Sequence, residues 1–129
     1  LEEMIYSYER ISSQIKKDII IFPVDYPFLY VQNSETNVLL GNKRHWRKTD
    51  QSLATLMLSK EILNKYWNNF YKFATLITDP AEKPLHEIYE KEPSFSPIPS
   101  LAMHCTNINS IYGLSPNLDW KRLWEENKL

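Results

Sequence analysis

Residues 50–79, DQSLATLMLSKEILNKYWNNFYKFATLITD, decide how this chain is read. The stretch holds neither Gly nor Pro; Thr49 or Asp50 can cap a helix start, and Pro80 closes it. Leu53, Leu56, Lys60, Leu63, Trp67, Phe70, Ala74 and Ile77 recur at alternating spacings of three and four. That spacing predicts one continuous helix of about 43 Å at 1.5 Å per residue, its apolar stripe interrupted only by Lys60. Met57, Leu58, Ile62, Tyr66, Tyr71, Phe73 and Leu76 lie off the stripe, so the apolar surface is wider than a single seam requires. Such a rod is expected to be the central helix against which the rest of the chain packs.

Toward the N-terminus, Leu1, Met4, Tyr8, Ile11 and Ile15 share one helical face, and the charged residues lie mostly elsewhere. Ile19-Ile20-Ile21-Phe22 is short, apolar and β-branched, and it ends at Pro23; this favours a buried strand. Phe28-Leu29-Tyr30-Val31 and Val38-Leu39-Leu40 flank the polar residues 33–37, which reads as an antiparallel hairpin. With two glycines in the whole chain, its turn falls to Asn33 and Asn37.

Toward the C-terminus, Pro84 can open a short helix through Leu85, Ile88 and Tyr89. Pro93, Pro97 and Pro99 then remove backbone donors, so residues 92–100 read as a crossing loop. Leu101, Cys105, Ile108 and Tyr112 share a helical face, but Asn107, Asn109 and Ser110 weaken the helix. Ser115-Pro116 supplies an N-cap and a first-turn proline for a terminal helix whose apolar side is Trp120, Leu123 and Trp124.

Composition bounds the function. A chain of 129 residues with 43% hydrophobic and 24% charged residues can bury an ordered core and reads as one domain over residues 1–129. A first residue of Leu is expected of a fragment of a longer protein. The formal net charge of -1 creates no global field toward nucleic acid or acidic membranes. Cys105 is the sole cysteine, which excludes an internal disulfide and fits an intracellular, cytoplasmic or nuclear setting. No apolar run approaches the roughly 20 residues that span a bilayer, and the start lacks a signal-peptide pattern.

The densest local feature is Lys43-Arg44-His45-Trp46-Arg47-Lys48, four permanent cations and an indole in six positions between the expected hairpin and the expected rod. Cations neutralise phosphates and an exposed Trp46 can stack on a base, so the segment can serve nucleic acid or an acidic protein. It also reads simply as a solvated loop with Trp46 tucked inward. His104 beside Cys105 raises a thiol-dependent transferase, but adjacent side chains point apart and a lone Cys is commonly buried, so this reading is disfavoured. His45, His86 and His104 show no i, i+3 or i, i+4 pairing for metal, and no phosphate-cradling glycine loop is present; no metal or cofactor is expected. Glu87, Glu90 and Glu92 read as a solvated helix side.

Phe22-Pro23-Val24-Asp25-Tyr26-Pro27-Phe28 resembles the strand-to-strand segment of ubiquitin-conjugating enzymes, which carries a similar Phe-Pro and Asp-Tyr-Pro-Phe pattern. The resemblance spans seven residues of 129. It implies further prolines and a catalytic cysteine soon after an Asn-containing motif; here Leu29 and Tyr30 follow instead, and Cys105 lies far downstream. The segment is therefore read as a Pro-rich turn entering a strand.

Four Trp, eight Tyr and five Phe exceed what one small core needs, and such residues anchor protein interfaces when exposed. The expectation is thus a helix-rich α+β fold: a long central helix packed with shorter helices and a small antiparallel hairpin sheet. Its expected role is a non-catalytic protein-protein interaction domain, a scaffold or subunit of a larger intracellular complex, with Trp120, Leu123 and Trp124 as anchors. The alternative is a nucleic-acid-binding module using Lys43, Arg44, Trp46, Arg47 and Lys48.

Overall fold

Ile19, Ile20, Ile21 and Phe22 are completely buried, and the architecture is organised around them. A computed structural model describes residues 1–24, 38–49, 55–102 and 125. Within that run, β1 (Ile20–Ile21) lies inside a five-stranded mixed sheet with β2 (Val38–Leu40), β3 (His45–Lys48), β4 (Met57–Leu58) and β5 (Ser94–Ile98). The strand order is β2-β3-β5-β1-β4; β1 and β5 run parallel, and the other pairs are antiparallel.

Because side chains alternate across a strand, the register sorts the apolar residues onto two faces. Ile21, Trp46 and Phe95 share one face with Met4, Ile11 and Ile19, and α1 (Glu2–Ile15) covers it. Ile20 and Phe22 face the other way, toward α2 (Lys60–Lys65), α3 (Trp67–Ala74) and α4 (Lys83–Lys91) through Ile62, Tyr66, Leu85, Ile88 and Tyr89. Phe22 meets Tyr89 edge to face, ring centroids 5.0 Å apart. A strand buried on both faces reads as a continuous apolar run, which is why four such residues in succession mark the centre of this fold.

The expected rod over residues 50–79 is not present, and the long-central-helix architecture is corrected accordingly. Met57 and Leu58 are the outermost strand on one side of the sheet, paired with Ile21 and Ile20. Ser59 then starts a new helix: its hydroxyl accepts from the Ile62 N–H at 3.2 Å, satisfying a donor the first turn would leave orphaned. A second break follows at Tyr66, whose φ of -110° and ψ of 27° lie outside helical values, and α3 continues from there. The apolar phase changes with these breaks. Ile62 and Tyr66 are buried and Phe70 and Phe73 half-buried, whereas Trp67, Ala74 and Ile77 of the expected core stripe face solvent.

The small antiparallel hairpin sheet is corrected too. Val38–Leu40 pairs with His45–Lys48 through the tight connection at residues 41–44, where the Gly41 N–H donates to the Arg44 carbonyl. The first strand of the expected hairpin, residues 28–31, and its turn lie outside the described residues. Residues 92–100, expected as a crossing loop, contain β5, an interior strand bonded on both sides. Its Pro97 is tolerated for a geometric reason. The Thr49 N–H donates to the Ser94 carbonyl, which makes Ser94, Ser96 and Ile98 the residues that exchange bonds with β3. Pro97 falls between them, its nitrogen turned toward β1, which has already ended at Ile21.

Candidate functional site

The four cations and the indole of residues 43–48 form a connection and a strand rather than a loop. Trp46 is fully buried beneath α1, packed with Ile11, Ile21 and Phe95, so its indole presents no face for a base to stack on. Lys43 is exposed; its backbone N–H donates to Glu3 Oε1 at 2.8 Å, and Asn42 Nδ2 donates to Glu3 Oε2 at 2.9 Å. Arg44 is half-buried and spends Nη1 on the Pro99 carbonyl at 2.9 Å. Arg47 and Lys48 are half-buried and engaged in contacts within the fold. Alternation along β3 puts His45 and Arg47 on one face of the sheet and Trp46 and Lys48 on the other, so Arg47 and Lys48 lie on opposite faces.

Trp120, Leu123 and Trp124 lie outside the described residues, as do His104 and Cys105. His45 is exposed and His86 half-buried. Among the described residues, no group of three or more His, Cys, Asp or Glu is placed to hold a metal ion. The depression at the end of α1, lined by Ser12, Ser13, Lys16, Lys17 and Asp18, is wide open to solvent. Glu87 and Glu90 are exposed, but Glu92, expected on a solvated face, is partly enclosed. Its Oε1 accepts from Lys65 Nζ and from Tyr66 Oη, each at 2.7 Å. Partial burial pushes the Glu92 carboxyl upward, but the two hydrogen bonds and the charges of Lys65 and Lys17 outweigh it and hold the group below the usual carboxylate range. Burial, followed by the hydrogen bond to that carboxylate, raises the Tyr66 phenol. These groups tie α2 to the end of α4.

The residues left outward by the breaks in the expected rod are the notable surface feature. Trp67 is 59% exposed and Tyr71 57%, one turn apart on α3, and Leu76 and Ile77 just beyond it are 69% and 64% exposed. The opposite side of α3 is anchored: Phe70 and Phe73 pack on the core, and Asn69 Nδ2 donates to the Pro84 carbonyl at 2.9 Å. The contacts of Asn69, Phe70 and Phe73 therefore set the orientation of α3 and turn Trp67 and Tyr71 outward. The three-and-four spacing assigns Trp67 and Ile77 to the core stripe; the signal against it is the apolar surface extending beyond one face, a surplus that a single buried side cannot absorb.

No family model, curated protein or solved structure matches the chain. No helix among the described residues is long and apolar enough to cross a membrane.

Proposed function

We propose that this chain is a non-catalytic protein-interaction domain belonging to a larger intracellular assembly. The observation that carries the reading is the outward Trp67 and Tyr71, continued by Leu76 and Ile77, on a helix whose other side is fastened to the core. Large aromatics held on a rigid element lose little further freedom on binding and are the residue types that dominate interface energetics. The occupant that fits is an apolar segment of a partner protein lying along α3, in the manner of a helix in a groove. Trp120, Leu123 and Trp124 are a second proposed anchor set, supported by their spacing in the sequence.

Nucleic-acid binding through Lys43, Arg44, Trp46, Arg47 and Lys48 has less support, because the indole is enclosed and Arg47 and Lys48 lie on opposite faces of the sheet. The deciding experiment is affinity purification with mass spectrometry on the full chain beside its W67A/Y71A variant, with folding of both checked by circular dichroism. A stoichiometric protein partner retained by the parent and lost from the folded variant is the expected result. Recovery of the same partner by both, or recovery of nucleic acid whose binding falls steeply with salt, would overturn the reading.

A further inference from the structure

We draw no further inference here: the strongest candidate, the row of exposed side chains Leu40, His45 and Ile98 aligned across β2, β3 and β5 on the sheet face away from α1, carries nothing because nothing in the structure shows what covers it.

Discussion

Gly41 sits where the β2–β3 connection passes between α1 and the buried indole. A Cβ built on it would overlap Ser7 Oγ and lie 2.5 Å from Trp46 Nε1, both side chains being completely buried. Ser7 Oγ is also committed: it accepts from the Asn42 N–H at 3.1 Å, and Glu3 holds the next backbone N–H. Gly41→Ala is therefore expected to destabilise the domain by about 1–3 kcal/mol through overpacking, read as a lower urea midpoint at unchanged slope; a midpoint equal to the parent's would contradict this packing. Glu92 makes a different demand. Its carboxyl has a lower pKa folded than unfolded, so its contribution is fully present above the unfolded value and disappears as pH falls through the folded one. Lys65 is largely solvated, which keeps that contribution small. Glu92→Gln should lower stability near neutrality slightly and flatten the acid limb of a pH series of urea melts. Parallel acid limbs in the two proteins would show that other carboxylates govern it. Neither role was legible in the sequence, since Ser7 reaches Gly41, and Lys65 and Tyr66 reach Glu92, from segments tens of residues away.

At the scale of elements, α1, β1 and α4 were readable because each carries its own evidence. Met4, Tyr8, Ile11 and Ile15 repeat at helical spacing, Ile19 to Phe22 form a β-branched run, and Pro84 stands at the start of α4 ahead of Leu85, Ile88 and Tyr89. The rod over residues 50–79 failed because absence of Gly and Pro permits a helix without requiring one. Met57 and Leu58 gain ladder bonds and cover on the sheet, and Ser59 caps the helix that follows. Helix ends in this glycine-poor chain also use unusual residues. Leu76 has φ 53° at the position after α3 where glycine is favoured; its N–H donates to the Phe73 carbonyl, and the Ile77 N–H donates to the Lys72 carbonyl, the pair of bonds that closes a Schellman end. Leu76→Gly should relieve the left-handed strain and, after the entropy glycine adds to the unfolded chain, raise stability by up to about 1 kcal/mol in thermal or urea melts. A loss of stability instead would mean that the exposed leucine packs on something in the folded chain.

For the whole molecule, two apolar layers meet on one sheet: α1 over Ile21, Trp46 and Phe95, and α2, α3 and α4 over Ile20 and Phe22. The Ile20 N–H donates to Pro93 and the Phe22 N–H to Phe95, so these bonds lie between both layers. Native-state hydrogen exchange should find those two amides among the slowest and the amides of α3, whose outer side is solvated, distinctly faster. Exchange at Ile20 and Phe22 as rapid as at α3 would contradict a sheet-centred core. The amino-acid sequence by itself determined that an ordered core forms, that its most apolar run suits a buried strand, and that the segment from Leu1 to Ile15 and the one from Pro84 through Tyr89 suit helices, because those properties follow from composition and local periodicity. Only the tertiary structure decided that Pro97 stands within a sheet, that residues 57–58 extend rather than coil, and that Trp67 turns outward while Trp46 turns in. Those outcomes depend on which distant strand supplies a hydrogen-bond partner and which face its register selects, and pairing of that kind leaves no periodic trace in the segment itself.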